Sequence, residues 1–155
     1  MNVNMNDKSK VVNLCDCSVS WARITSTGDE YIKPKGVVWI PNFEIEAQVA
    51  NKTWQIAGTD GKGSHALVYI ENPELREYLG FDNKEEKRVQ LIIDEEKCKQ
   101  ILELKTFSVF KKHVESEIIN IYEKRRIIDV ARKIKINDYD KIKFLEEYCK
   151  MPFKE

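Results

Sequence analysis

From Phe43 to Val49 apolar and polar residues alternate one by one, with Phe43, Ile45, Ala47 and Val49 set against Glu44, Glu46 and Gln48. Side chains on a strand switch faces at each residue, so this spacing predicts a half-buried strand. Asn51-Lys52 supplies a turn, and Trp54-Gln55-Ile56 resumes the alternation. Thr59 to Ser64 supplies a second turn, and His65 to Ile70 reads as a third strand of an antiparallel meander. The first of these strands runs from Val37 to Ala50 and is interrupted at Pro41, a residue confined to sheet edges and bulges. Trp39 shares the parity of Phe43, and Trp54 that of Ile56, which places both tryptophans in the core unless Pro41 shifts the register at Trp39. Upstream, Lys10 to Ile24 reads as one long strand with Cys15, Cys17, Val19 and Trp21 on one face. Downstream, Arg88 to Ile93 repeats the two-residue period.

Between these strands, Asn72-Pro73 opens a short helix over 73–79: Asn accepts from a free amide of the first turn, and Pro is tolerated at the first helical position. Gly80 stops it. After Ile93 the period lengthens. Asp94 caps a helix from Glu95 to Leu104, and Thr106 caps a longer one. Its stripe runs through Phe107, Phe110, Val114, Ile118 and Ile121 and continues, rotated, through Ile127, Ile128, Val130, Ala131 and Ile134. Asn137 or Asp138 caps a last helix, and Pro152 ends it.

The expected fold class is therefore α+β: a small antiparallel β-barrel or strongly bent sheet, followed by a C-terminal extension of two to four helices. Residues 1–9 are expected to be a disordered lead-in and 10–93 the β domain. Residues 94–151 are expected to be a helical extension packed on the β domain or on a partner. The order of long strand, polar loop, three-strand meander, short helix and final strand resembles the small five-stranded barrels of the SH3 type, over Lys10 to Asp94. The resemblance is one of architecture; no motif carries it, and it implies no function by itself.

Lys plus Arg and Asp plus Glu each number 26, so the net charge is zero. A chain that clings to phosphate backbone through overall positive charge is not indicated. The polar start, Met1 to Lys8, lacks the apolar run of a secretion signal, and no stretch reaches the ~18 apolar residues of a membrane span. A cytoplasmic, membrane-free protein is expected, whose four cysteines are free thiols or metal ligands before they are disulfides.

Four patterns carry candidate chemistry. Cys15 and Cys17 project from one strand face and could meet a zinc ion, although their spacing matches no zinc pattern and a buried apolar face accounts for both. No cofactor is expected. The loop Asp60-Gly61-Lys62-Gly63, with Ser64 and His65, has the composition of a phosphate cradle, but a strand follows where such cradles need a helix. A hairpin turn whose tip touches a protein partner fits better, and Tyr31 and Tyr69 are further candidate surface contacts for such a partner. Nucleophile-and-base catalysis has little support, because Ser64 and His65 are adjacent and would point to opposite faces. Finally, ten Lys or Arg stand against six Asp or Glu between Lys111 and Lys143. Lys124, Arg125 and Arg126 lie about two helical turns from Arg132 and Lys133, a stripe that could track phosphates. Asp129 between the clusters also suits a solvated, partly paired helix face.

The expectation is a non-catalytic binding or regulatory protein acting through protein–protein contact, in the manner of a phage or mobile-element inhibitor or adaptor. Homo-oligomerisation would be one way to cover the helical stripes. The alternatives are a nucleic-acid-binding regulator that uses the basic helices, and a small metal-dependent or hydrolytic enzyme.

Overall fold

The computed structural model describes residues 3–154. Among them are five strands and seven helices in two compact units, the first ending at Ile92 and the second beginning at Ile93. The fold is α+β. No closed barrel forms, and the SH3-like strand order is not found.

In the first unit, β1 (Lys8–Asn13) lies between β4 (Val37–Pro41) and β5 (Val68–Ile70), antiparallel to both. The short strands β2 (Val19–Ala22) and β3 (Asp29–Ile32) form a separate two-stranded sheet. The long strand expected over Lys10 to Ile24 is broken at Asn13, whose side chain is buried. Its Oδ1 accepts from the Cys15 amide at 2.8 Å, while its Nδ2 donates to Cys17 O at 2.8 Å and Lys33 O at 3.0 Å. An Asn side chain that satisfies nearby backbone in this way competes with the ladder and turns the chain.

The meander is the main correction. Phe43 to Ala50 belongs to a helix, α1 (Asn42–Ala50), and Trp54 to Ile56 to one further turn, α2 (Trp54–Ala57). The inward residues of α1 are Asn42, Glu44, Ile45 and Gln48, a helical spacing. The positions that read as a solvated strand face therefore include two buried polar side chains, Glu44 and Gln48. Ala, Glu and Gln are also stronger helix formers than strand formers. The third strand starts only at Val68, and the expected strand over Arg88 to Ile93 reduces to an isolated bridge between Asn83 and Arg88.

Within the expected lead-in, the Asp7 and Met5 carbonyls accept from the Asn42 and Phe43 amides, at 2.8 and 3.1 Å. Met1 and Asn2 lie outside the described residues. Helix α3 (Pro73–Tyr78) starts under Asn72, whose Oδ1 accepts from the Glu74 and Leu75 amides. Val11, Ile40, Ile45, Ile56, Ile70, Leu75 and Phe81 form the core of this unit.

The second unit holds α4 (Glu95–Leu102), α5 (Phe107–Glu117), α6 (Ile121–Lys133) and α7 (Tyr139–Cys149). Asp94 caps α4 through the Lys97 amide, and Asp138 caps α7 through the Lys141 amide. The rotation of the apolar stripe marks a chain break: α5 stops at Glu117, and Asn120 and Glu123 form a capping box that starts α6. Phe110, Val114, Ile118, Ile127, Ile128 and Leu145 make the core. The Lys141 ammonium is buried against the end of α4, donating to Leu102 O at 2.8 Å and Leu104 O at 2.5 Å.

Candidate functional site

The three-stranded sheet has an inner row of Val11, Ile40 and Ile70 and an outer face of opposite parity. Register sets Val12 opposite both Val37 and Tyr69, and Lys10 opposite Trp39. A continuous outer strip results: Val37, Val12 and Tyr69, with Trp39 and Lys10 beside it. Trp39 is 62% exposed and Val37 44% exposed, which corrects the expectation that Trp39 is core. Trp54 is also outside, at 47%.

The backbone of β4 adds a second property. The Asn13 amide donates to Gly36 O, so the alternation of an antiparallel ladder turns the backbone groups of Val38 and Ile40 toward β1. Those of Val37 and Trp39 face the open side of β4. Among the described residues they have no partner there, and Pro41 closes the edge without an N–H to offer.

A groove of about 290 Å³ runs beside Trp39, with Lys8, Arg23, Thr25, Glu30 and Phe43 among its walls. Its far wall is the tip of the β2–β3 hairpin, latched by Glu44. That carboxylate accepts from the Thr25 hydroxyl at 2.6 Å, the Thr25 amide at 2.8 Å, the Ile24 amide at 3.2 Å and Gln48 Nε2 at 2.7 Å. Gln48 also donates to Ala22 O at 2.8 Å. Burial works to raise the Glu44 carboxyl, but the bonds from Thr25, Gln48 and Ile24 outweigh it and hold it below its ordinary range. On the other side of Trp39 is a shallower depression of about 270 Å³, where Lys10 pairs with Glu71 at 3.3 Å.

Of the residues expected to meet a partner, Tyr69 belongs to this face. It is half-buried, with the Arg76 guanidinium 4.8 Å from its ring centre. Tyr31 stands on the other sheet, 57% exposed, its hydroxyl 2.6 Å from Ser18 Oγ. The Asp60 loop is not a hairpin turn but a knot of internal bonds. Asp60 accepts from the Ser64 hydroxyl at 2.6 Å, the Lys62 amide at 2.8 Å, the Ser64 amide at 3.2 Å and Arg88 Nη2 at 2.9 Å. Burial opposes these bonds, yet together they hold the Asp60 carboxyl down at about 2. Gly63 is buried where a Cβ would lie 2.6 Å from Gln90 Nε2 and 2.7 Å from the Phe81 ring. Ser64 and His65 are buried too, so the loop presents Asp60, Gly61 and Lys62. Ser64 Oγ donates to Asp60, and no nucleophile–base pairing with His65 is formed by that bond.

The basic stripe is dispersed. Arg126 is buried and donates to Ile93 O. Arg132 holds the Phe153 and Pro152 carbonyls, Lys133 lies 3.3 Å from Glu95, and Lys124 sits over the Tyr148 ring at 5.0 Å. Arg125 is exposed. The exposed residues of α7 include Asp140, Glu146 and Glu147 together with Lys143.

Cys15 is buried, its thiol 3.9 Å from Leu67 O, and Cys17 is half-buried. No group of three or more His, Cys, Asp or Glu among the described residues could hold a metal ion. Burial pushes the Cys98 thiol up to about 12 and the Cys149 thiol up to about 11, so neither is a thiolate at neutral pH. No helix among the described residues is long and apolar enough to cross a membrane.

The sequence signal that bears on Trp39 is Pro41, already read as an edge or bulge residue. A strand that ends on proline is an edge strand, and the outward parity of an edge strand is where a tryptophan stays exposed. No family model, curated protein or solved structure matches this chain.

Proposed function

We propose that this chain is a non-catalytic binding protein that acts through protein–protein contact, and that it docks an extended segment of its partner on the Trp39 face. The observation that carries the reading is a tryptophan 62% exposed on an edge strand whose outward amides and carbonyls have no partner among the described residues. An exposed edge is a template for one more strand. An exposed large aromatic is the residue type that most often anchors a protein contact. The groove beside it, with a wall latched by Glu44, gives such a segment a formed seat. The basic helices support nucleic-acid contact less well, since most of their cations already hold carbonyls, carboxylates or rings of the same unit.

Selection of random linear peptides against the purified full chain tests the reading. Selected peptides are expected to bind the wild type about tenfold or more tightly than Trp39→Lys. They should also slow amide exchange at Val37 and Trp39. Peptides that bind both proteins equally, or a failure to select any, would remove the Trp39 face as the contact. Salt-sensitive retention on heparin, lost on Arg125→Glu, would favour the nucleic-acid alternative instead.

A further inference from the structure

Resting on that reading of the Trp39 face, we infer that the strand β4 takes is β4 of a second copy of this chain. The segment Val37-Val38-Trp39-Ile40 carries no charge and is made of strong strand formers, the composition that natural sheets rarely leave at an open edge. It is also self-complementary in one particular register. Two copies of β4 placed antiparallel about a two-fold axis at Val38 set Val37 of each opposite Trp39 of the other. The amides and carbonyls of Val37 and Trp39 that face away from β1 then meet their counterparts, and four hydrogen bonds form with no open group left on these residues.

Sliding the axis to Trp39 sets Val37 opposite Pro41, which has no N–H, and strands one Val37 carbonyl in each copy. Proline therefore selects the Val38-centred register. On the outer face that register places Trp39 against the partner copy's Val37 twice over, an aromatic against a β-branched residue, which is a favourable cross-strand pair. Each apolar strip of Tyr69, Val12 and Val37 is thereby continued by the other copy's Trp39. The zero net charge of the chain sets no long-range repulsion against self-association.

Three paired residues a side bury less than the ~1,200 Å² at the low end of standard interfaces, so the dimer is weak and concentration-dependent. With a dissociation constant on the order of 0.3 mM, less than about a tenth of the chains pair at ~10 µM and more than about half at ~1 mM.

Sedimentation equilibrium of the full chain across that range reads the dimer directly. Trp39→Lys is expected to remain monomeric at ~1 mM while keeping the wild-type circular dichroism. The register is read by Val38→Cys. The non-hydrogen-bonded pair at the axis brings the two Cα atoms to about 4.5 Å, within reach of a disulfide. Diamide, which takes up the two thiol hydrogens, should then link Val38→Cys into a dimer well beyond the background given by the native cysteines in the wild type. Trp39→Cys, diagonal to its own counterpart, should link far less.

A chain that stays monomeric at ~1 mM overturns the inference. So does a dimer that Trp39→Lys leaves intact, or one in which Val38→Cys links no better than wild type. A monomeric chain that still selects extended peptides through Trp39 overturns the second copy alone and leaves the contact face standing.

Discussion

The three-stranded sheet has two outer strands, and the chain finishes them in different ways. At β5 the outward carbonyl of Ile70 is covered. Arg76 Nη1 donates to Ile70 O at 2.7 Å and Glu71 O at 3.0 Å, its Nε bonds Asp82 at 2.9 Å, and its guanidinium lies over Tyr69. Helices α2 and α3 both pack on this strand, as α1 does on β4. At β4 no arginine, helix or loop amide satisfies the outward groups of Val37 and Trp39 among the described residues. One edge has its Ile70 carbonyl sealed by Arg76; on the other no side chain bonds the outward groups among the described residues.

Removing the seal should have the largest effect. Arg76→Ala strips two carbonyls and a carboxylate of their donor at a site only 12% exposed, and should cost about 3 kcal/mol in urea denaturation. A loss below about 1 kcal/mol would mean that β5 is closed by its helices and not by Arg76. Next comes the latch of the open side: Glu44→Ala leaves the Thr25 and Ile24 amides and Gln48 without their acceptor, and should cost about 2 kcal/mol. Exchange at Thr25 should rise in the same variant, because the groove wall is released.

Acid provides a third test. Asp60 is held at about 2, below the ~3.9 of an unfolded aspartate, so its contribution to stability is complete above pH ~4. That contribution is lost as pH falls toward about 2. Asp60→Asn should flatten the fall of stability across this window and leave peptide selection by the Trp39 face unchanged. If selection is lost as well, the loop belongs to the contact. The smallest effect on stability is expected at the open edge. Trp39→Lys should change unfolding free energy by no more than about 0.5 kcal/mol, since its ring stands mostly in water. A drop of several kcal/mol would show that Trp39 holds the sheet together and that the contrast between the edges is false.

Local signals in the sequence located elements well where the stabilising interaction is itself local. Asn72, Asp94 and Asp138 each stand where a helix begins, and each accepts from an amide two or three residues on. The meander was misread because period-two alternation and a short amphipathic helix share several positions over eight residues. What separates them is that Glu44 and Gln48 point inward, and they do so because of Ile24, Thr25 and Ala22, some twenty residues away. No window around Phe43 contains that information. The candidate site follows the same rule: Tyr69, expected at the surface, is half-buried beside Arg76, and beyond the hint of Pro41 the exposure of Trp39 depends on β1 pairing on one side of β4 alone. The basic stripe was legible as a charge pattern, but its partners at Ile93, Pro152 and Phe153 are contacts made through the fold.

Pro41 has a consequence for what the open edge can discriminate. A strand docked there as proposed would be measured only over the few residues ahead of it, so lengthening it past that point would add no ladder bonds. Selectivity between visitors must then come from how their side chains fill the space around the indole. In the proposed docking the imino acid would act as a ruler stop, bounding how far the edge reads while the ring decided what is read.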